Sequence, residues 1–368
     1  MDGPRIEVRP TVAIDDAEQL AEAYTPGVAD ACRAIADEPG SAGRLTTRGN
    51  SVAVVSDGSA ILGLGDLGAR AALPLLEGKA ALFKRFGGVE AFPLCVTGDG
   101  VEAMADAVAA VAEGFGGVNL EDIAAPDCFE MEERLRARLD VPVFHDDQHG
   151  TAIVVAAALT NALRVVDKRA ADVRVVVSGA GAAGVATAYL LQEAGVGSIA
   201  VYDSHGPVHP DRGDLGDVKR RLAEYTDPPG VDVALGDALA GADVFVGLSA
   251  PDLIGADDVA GMAGKPVVFA LANPEPEIEP GVAREHAAVV ATGRSDEPNQ
   301  INNVLAFPGV FRGLLDAGAT RLTTGAQLAA ARAIADRVPE DDLAEGTIVP
   351  SVFDDGLVPA IARAVRDS

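Results

Sequence analysis

One glycine-rich segment constrains the fold of this chain more than any other feature. The sequence GAGAAG, with glycines at positions 179, 181 and 184, follows the β-branched run 175–177 and opens an apolar stretch typical of a helix. Asp203 lies 19 residues beyond Gly184, at the end of the next apolar run. A strand, a glycine-rich turn, a helix and an acid after the next strand form the dinucleotide-binding fingerprint. The pattern predicts a doubly wound, parallel α/β domain of the Rossmann type, with a glycine-rich turn that only packs as the alternative.

The fingerprint also predicts what this domain binds. Gly179, Gly181 and Gly184 let the backbone approach a pyrophosphate, which is attracted by the N–H groups and dipole of the helix N-terminus. Asp203 is placed to accept a hydrogen bond from a ribose 2′-hydroxyl, which favours NAD. The side chains that could instead face the 2′-phosphate of NADP are His205, Arg212, Lys219 and Arg220. The sequence leaves NAD and NADP both open.

The N-terminal half predicts a second α/β unit. Short apolar runs typical of buried strands occur at 52–55, 92–96, 117–118 and 141–144. Helical patterns lie between and before them, at 69–86, 101–112 and 129–139. Strands that alternate with helices imply a parallel sheet. A long apolar helix at 150–166 then separates this unit from the Rossmann-type one. We predict an N-terminal α/β domain at 1–151, a Rossmann domain at 152–345, and a C-terminal helical segment at 346–368 that packs back on the first domain.

The net charge excludes two classes of partner. Acidic residues outnumber basic ones 56 to 29, which gives a formal net charge of −27. Nucleic acids and anionic membranes are held mainly by basic patches, so we expect the chain to bind neither. A hydrophobic content of 48% also excludes a disordered acidic chain, because that fraction supports a buried core.

Three further features predict a cytoplasmic protein. The cysteines at 32, 95 and 128 are isolated, which gives no disulfide framework and is typical of a reducing compartment. The N-terminal sequence MDGPRIEVRP contains no apolar segment of the kind found in signal peptides. The longest uncharged run, 175–192, contains the three fingerprint glycines, so we interpret it as a strand, a turn and a helix rather than a membrane span.

Four carboxylates follow two of the predicted strands. Asp146 and Asp147 lie in PVFHDDQHGT after the run 141–144, and Glu121 and Asp122 follow the run 117–118. The carboxyl ends of parallel strands meet at one edge of a sheet, and carboxylate oxygens suit Mg²⁺ or Mn²⁺. Two alternatives remain open at this point. His145 and His149 have the i, i+4 spacing of zinc ligands, and Asp147 has the position of a helix N-cap.

Lysine is scarce, with five in the chain, so a lysine within a motif is a candidate functional residue. Lys79 lies in the apolar segment LLEGKAALFK, where it either snorkels or is desolvated with a lowered pKa that suits a general base. Tyr24 precedes Thr-Pro-Gly at a helix break, where a tyrosine most often packs amphipathically. A second glycine pattern, LGLGDLG at 62–68, is interpreted as a flexible loop that brings backbone N–H groups near a ligand.

Together these segments resemble the malic enzyme family in its short bacterial and archaeal form. The resemblance covers nearly the whole chain from about residue 20. It rests on AYTPGVADACRAIAD, VAVVSDGSAILGLGDLG, PLLEGKAALFKRFGGVEAFPL, GVNLEDIAAPDCFEMEERLRARLDVPVFHDDQHGTAIV, VVVSGAGAAGVA, FALANPEPEI and ATGRSDEPNQINNVLAFPGVFRG, in the family's order. It implies oxidative decarboxylation of L-malate to pyruvate and CO₂ with NAD or NADP, on Mg²⁺ or Mn²⁺, in a homodimer.

The resemblance also implies roles for individual residues. Lys79 matches the general base that takes the C2 hydroxyl proton, Tyr24 matches the acid that protonates C3 of enolpyruvate, and Asp146 is the acid that positions or tunes Lys79. The implied metal ligands are Glu121, Asp122 and Asp147. Asn273 and Asn303 match residues that contact the nicotinamide end and the substrate. The alanines that match the pyrophosphate loop are Ala180, Ala182 and Ala183.

One segment departs from larger members of the family, which carry a carboxylate-binding arginine after the Asp-Gly turn. Here that stretch is Ser59-Ala60-Ile61. Arg294 and the backbone amides around 63–65 are therefore the candidates for binding the malate C4 carboxylate. Two other activities are alternatives, namely another metal-dependent 2-hydroxy acid dehydrogenase and an oxaloacetate decarboxylase. A catalytically inactive, cofactor-binding regulatory protein is the alternative from a different class, although the implied catalytic residues are all present.

Overall fold

Two parallel sheets organise the chain. The computed structural model describes residues 3–368. The first sheet contains β1 (Ser51–Ser56), β2 (Glu90–Cys95), β3 (Gly117–Leu120) and β4 (Val143–His145). Its strand order is β2-β1-β3-β4, and all three pairings are parallel. The β-branched run of β1 lies in the middle and is buried on both faces, as parallel strands require.

Helices connect and precede these strands. Their bounds are α1 (Ala17–Ala23), α2 (Ala29–Asp37), α3 (Ala42–Leu45), α4 (Leu73–Leu82), α5 (Val101–Ala112) and α6 (Asp127–Arg138). The helix predicted at 69–86 is divided into three parts. A 3₁₀ turn at Ala69–Ala72 precedes α4, and a π turn at Phe83–Gly87 follows it. The turn ends at Gly88, whose φ of 64° is readily adopted only by glycine.

The second sheet is the predicted Rossmann-type sheet. It contains β5 (Arg174–Ser178), β6 (Ser198–Asp203), β7 (Gly206–Pro207), β8 (Val244–Gly247), β9 (Val267–Ala270) and β10 (Val289–Thr292). The strand order is β10-β9-β8-β5-β6-β7, parallel except for β7. The order reverses beside β5, which creates the crevice where ligands bind in this type of sheet. The predicted α/β class, with a second doubly wound unit, is confirmed.

The remaining helices cover these sheets. They are α7 (Thr151–Val166), α8 (Ala182–Glu193), α9 (Asp217–Tyr225), α10 (Leu235–Leu239), α11 (Ala256–Ala260), α12 (Pro280–Arg284), α13 (Phe307–Ala317), α14 (Thr324–Ala335) and α15 (Leu357–Arg366). The continuous helical stretch Asp146–Val166 is long and apolar enough to cross a membrane, but 72% of its apolar window is buried inside the fold. It therefore has the burial of a core helix.

Helix α13 was not predicted from the sequence, because Pro308, Gly309 and Gly313 disfavour a helix by propensity alone. Pro308 lies in the first turn of the helix, where a backbone N–H would have no intrahelical acceptor, so its missing N–H costs no hydrogen bond. The glycines allow α15 to approach closely. A Cβ on Gly309 would lie 2.7 Å from Cβ of Ile361, and one on Gly313 would lie 2.7 Å from Cβ of Val365. Tertiary packing thus outweighs the low propensity.

The two ends of the chain differ in how they pack. Helix α15 packs against α13 and α14, and Phe353 before it places its ring 6.0 Å from that of Phe86. Helices α1 and α2 contain no buried residue. Exposed apolar side chains are concentrated near them, at Val8, Val12, Ile14, Leu20, Tyr24 and Val28.

Candidate active site

A buried lysine lies at the carboxyl edge of the first sheet. Lys79 on α4 places Nζ 2.5 Å from Oδ2 of Asp146 and 3.0 Å from Oε1 of Glu121. The two acids meet because β3 and β4 are parallel neighbours in which Leu120 pairs with His145, so the next residue of each strand emerges at the same edge. Nζ also lies 4.1 Å from the ring centroid of Phe307.

The charge state of Lys79 differs from the expectation. Burial alone favours the neutral amine, as predicted. The carboxylates of Asp146 and Glu121 outweigh burial, however, and raise the pKa of Lys79 above its ordinary value. The predicted lowered pKa is therefore wrong for the protein in this state. The cause is a pair of contacts across 67 and 42 residues of sequence, which spacing along one helix does not reveal.

Two more carboxylates lie beside the first pair. Asp122 adopts φ of 50° and donates its backbone N–H to Oδ2 of Asp147 over 2.9 Å. This contact occupies Asp147, which caps no helix. Oδ2 of Asp122 is buried and has no hydrogen-bond partner among residues 3–368. Burial, followed by the nearby Asp147 charge, raises the pKa of Asp122 to about 7.

The four acids leave negative charge uncompensated. Burial raises the pKa of Glu121 well above its usual range, Lys79 opposes that rise, and the charges of the other three acids add to it. Four carboxylates thus face one ammonium group. Within residues 3–368, no three acidic, histidine or cysteine side chains are already gathered into a ligand set.

The two histidines of the alternative zinc site have separate surroundings. His149 places Nε2 2.6 Å from Oε1 of the buried Glu132, to which Gln148 also donates. The ring of His145 is buried, neither of its nitrogens makes a hydrogen bond within the described chain, and Nδ1 lies 3.6 Å from Asp147. Burial lowers the pKa of His145. His149 pairs with Glu132 and not with the four acids at 121–122 and 146–147. The geometry therefore favours oxygen ligands over a zinc site.

Asn303 connects this edge to the C-terminal half of the chain. Its Nδ2 donates to Oδ2 of Asp146 over 3.0 Å, and its Oδ1 accepts from Oγ1 of Thr151 over 3.2 Å. Asp146 Oδ2 therefore accepts from both Lys79 and Asn303. Helix α8, which follows the glycine-rich loop, packs against the turn at 146–150 that contains Asp146.

The glycine-rich loop has the tight geometry that its sequence predicts. Gly179 adopts φ of 108°, and a Cβ on Gly184 would lie 1.8 Å from the carbonyl oxygen of Gly179. A Cβ on Gly181 would instead meet open space. Ala180 lies in the loop, and Ala182 and Ala183 are the first residues of α8, where backbone N–H groups can hold a pyrophosphate.

The predicted ribose acid is already paired with cations. Oδ1 of Asp203 accepts from Arg212 over 2.8 Å and from the His205 N–H over 2.9 Å, and Oδ2 accepts from Lys219 over 2.6 Å. Burial opposes ionisation, but the hydrogen bonds from Arg212 and Lys219 outweigh it and lower the pKa of Asp203. The cluster offers a carboxylate to a ribose hydroxyl and two cations to a phosphate.

Three other predicted residues have distinct positions. Asn273 follows β9 and donates Nδ2 to the Leu271 carbonyl over 3.2 Å. The 62–68 loop lies against it, since a Cβ on Gly63 would be 2.6 Å from the Asn273 carbonyl oxygen. Arg294 is held by Asp296 through two hydrogen bonds of 2.9 and 2.6 Å. Tyr24 is 70% exposed, and its hydroxyl makes no hydrogen bond within the described chain.

Two residues of the site were missed from the sequence. Phe307 packs against Lys79 Nζ, and Asn119 donates to Oε2 of Glu121 over 2.9 Å. Phe307 lies in an apolar run typical of a hydrophobic core, so no local sequence signal identifies it as a residue of the site. Asn119 at the end of β3 was detectable, because a fully buried amide in an apolar strand needs a polar partner.

Family models, related sequences and a solved structure all match this chain to the same family. Residues 3–100 match the model of the malic enzyme N-terminal domain, and residues 148–365 match that of the malic enzyme NAD-binding domain. The NAD-dependent malic enzyme of Geobacillus stearothermophilus is 51% identical over 366 residues, which cover 100% of this chain and 77% of that protein. An NADP-dependent malic enzyme of Escherichia coli is 45% identical over 99% of this chain and 51% of its own length. The crystal structure of the NAD-dependent malic enzyme of Thermotoga maritima superposes with a TM-score of 0.94 at 43% identity, covering 99% of this chain and 96% of that one.

Proposed function

This chain belongs to the malic enzyme family, and we propose that it converts L-malate to pyruvate and CO₂ while reducing NAD or NADP. It is an oxidoreductase that acts on a small anionic substrate. The observation that carries the catalytic assignment is the position of Lys79, which is buried between Asp146 and Glu121. This arrangement supports a role for Lys79 in proton transfer.

The residues around Lys79 support a role in proton transfer. In its neutral form, Nζ would take the proton of the malate C2 hydroxyl, and NAD or NADP, when bound, would accept the C2 hydride. Asp146 fixes the direction of Nζ, and Asn303 fixes Asp146 through the 3.0 Å bond to Oδ2. The ring of Phe307 excludes water from one side of the amine. Loss of CO₂ then leaves C3 to be protonated.

The acids beside Lys79 fit a divalent cation. The buried, unpartnered Oδ2 of Asp122 and the excess of carboxylates over ammonium groups both indicate a missing positive charge. Glu121, Asp122 and Asp147 would hold the ion, and hard oxygen donors suit Mg²⁺ or Mn²⁺. When bound, the ion polarises the substrate C2 oxygen and offsets the negative charge that opposes an anionic substrate.

The exposure of Tyr24 supports a homodimer. Tyr24 lies on a segment without buried residues, among exposed apolar side chains at positions 8–28. Several exposed apolar side chains close together in sequence are consistent with an interaction site. We infer that a second copy of the chain covers this segment and orders Tyr24 as the acid for C3. The measured mass in sedimentation equilibrium should be that of two chains.

Replacing Tyr24 by phenylalanine tests its assignment. Overall conversion of malate to pyruvate should fall about 10²-fold, because the phenol proton is lost. Reduction of oxaloacetate by NADH or NADPH should change much less, since that step needs no proton at C3. Tyr225→Phe, at another partly exposed tyrosine, is the matched control. Equal losses in both reactions would contradict the acid assignment.

The overall activity is tested directly. The purified protein with L-malate, Mn²⁺ and either NAD⁺ or NADP⁺ should produce reduced cofactor and pyruvate in equal amounts. Oxaloacetate accumulating without pyruvate would favour a simple 2-hydroxy acid dehydrogenase. Pyruvate formed from oxaloacetate, but no oxidation of malate, would favour a decarboxylase. Absence of all three activities, with cofactor binding retained, would favour a regulatory protein. The ratio of kcat/KM measured with NAD⁺ to that measured with NADP⁺ gives the cofactor preference.

We also infer a cytoplasmic location without membrane or nucleic-acid partners. The net charge of −27 opposes binding to both. Within residues 3–368, the one helix long and apolar enough to span a membrane is mostly buried in the fold. Fractionation of producing cells should recover the activity in the soluble fraction.

A further inference from the structure

A fully buried glutamate lies beneath the cofactor crevice. Glu277 has 0% exposure, and no lysine, arginine or histidine lies within ion-pair distance of it in the described chain. Its carboxylate is instead held by backbone N–H groups. Oε1 accepts from Ser249 over 3.0 Å, and Oε2 accepts from Ala272 over 3.1 Å. Burying a carboxylate without a cation costs free energy, and hydrogen bonds from the protein only partly replace those lost to water. An apolar side chain would fill this position at a lower cost in free energy.

The carboxylate of Glu277 connects two loops that leave neighbouring strands. Ser249 follows β8, and Ala272 follows β9. Both loops lie at the carboxyl ends of the Rossmann strands, where ligands bind in this fold. Gly247 at the end of β8 is shaped around the same group, because a Cβ there would lie 2.3 Å from Cδ of Glu277. Glycine at position 247 therefore leaves the space that the Glu277 carboxylate occupies.

The first loop supports the pyrophosphate segment. Oγ of Ser249 lies 2.8 Å from Oγ of Ser178, the residue before Gly179. A Cβ on Gly179 would lie 2.3 Å from the Leu248 carbonyl oxygen, so the two loops are in contact. A shift of the 248–249 backbone would move the glycine-rich loop with it.

The second loop supports the opposite end of the crevice. Ala272 directly precedes Asn273, the residue expected to face the nicotinamide. The carbonyl oxygen of Asn273 in turn contacts Gly63 of the 62–68 loop in the N-terminal half. One carboxylate thus fixes the backbone next to both the pyrophosphate and the nicotinamide ends.

We propose that Glu277 is a positioning residue that sets cofactor affinity by holding the 247–249 and 271–273 loops in register. The proposal rests on the proposed NAD(P)-dependent function. Glu277 does not touch the cofactor; it acts through the backbone of Ser249 and Ala272. Removal of the Glu277 carboxylate therefore weakens binding of the dinucleotide, while Lys79 and the acids at 121–122 and 146–147 stay in place.

Glu277→Gln tests this proposal with almost no change in volume. The amide keeps one acceptor oxygen but turns an NH₂ toward an N–H that needs an acceptor. Fluorescence titration with NADH and with NADPH, without malate or metal, should give a Kd raised about tenfold for the preferred cofactor. KM for that cofactor should rise similarly, with kcat at saturation within about twofold. Glu275→Gln, an exposed acid two residues earlier, is the matched control.

Gly247→Ala approaches the same carboxylate from the other side and keeps its charge. The added methyl must displace Glu277, so Kd should rise as in Glu277→Gln, whereas Gly264→Ala, where a Cβ meets nothing within 4 Å, should bind normally. A lower melting temperature with unchanged Kd in both variants would overturn the proposal, because it would show a role in stability alone. Failure of the unsubstituted protein to bind either cofactor would instead overturn the proposed function.

Discussion

Replacing Lys79 by alanine should reduce the rate of malate oxidation about 10³-fold, the largest effect expected of any single substitution in this chain. Among residues 3–368, Lys79 Nζ is the one ammonium within 3.0 Å of the carboxylate pair formed by Asp146 and Glu121. Alanine removes the group that takes the hydroxyl proton and leaves two buried acids without their cation. The rate is measured as formation of NADH or NADPH at saturating malate and Mn²⁺.

A matched control separates this loss from a general effect of removing a lysine. Lys84 lies five residues later, has a side chain that is 60% exposed, and pairs with Glu90. Lys84→Ala should retain near-normal turnover. The Lys79→Ala protein must keep its circular dichroism spectrum and its Kd for reduced cofactor. Added small primary amines should restore part of its activity. Turnover of Lys79→Ala within tenfold of the parent would remove Lys79 from its role as base.

The sequence predicted much of the fold because burial patterns are local. The β-branched run of β1, the glycine-rich turn after β5 and the acid at the end of β6 all identify parallel strands within a few residues. Helix α13 could not be predicted in this way. Its glycines have low helix propensity, and what stabilises them is contact with α15, about 50 residues later in the chain.

The candidate site was predictable in outline for the same topological reason. Acids that directly follow neighbouring parallel strands must meet at one edge, and the structure brings Glu121 and Asp146 together there. The electrostatics were not predictable, because they depend on distances between distant segments. The pKa of Lys79 is raised rather than lowered, and the Asp203 carboxylate is paired with Arg212 and Lys219. The exposure of Tyr24 likewise depends on packing that its own helix does not determine.

Replacing Asp147 by asparagine should weaken Mn²⁺ binding about 10²-fold while preserving the fold. Asn and Asp have nearly the same shape, and the amide oxygen can still accept the 2.9 Å hydrogen bond from the Asp122 N–H. The substitution therefore removes one negative charge and one strong oxygen donor without opening a cavity. The apparent Mn²⁺ requirement of the reaction should rise by the same factor as the Kd.

Electron paramagnetic resonance of free Mn²⁺ measures this affinity without relying on turnover, so it tests the ligand assignment even if the variant is inactive. Asp127→Asn, at an exposed acid in the first turn of α6, is the control, because it removes the same charge five residues after Asp122 in the sequence. A general loss of negative field would weaken Mn²⁺ binding alike in both variants, whereas direct ligation weakens it in Asp147→Asn alone. An unchanged Kd in Asp147→Asn would exclude Asp147 as a ligand and leave its carboxylate with the single role seen in the structure, which is to hold the strained backbone of Asp122.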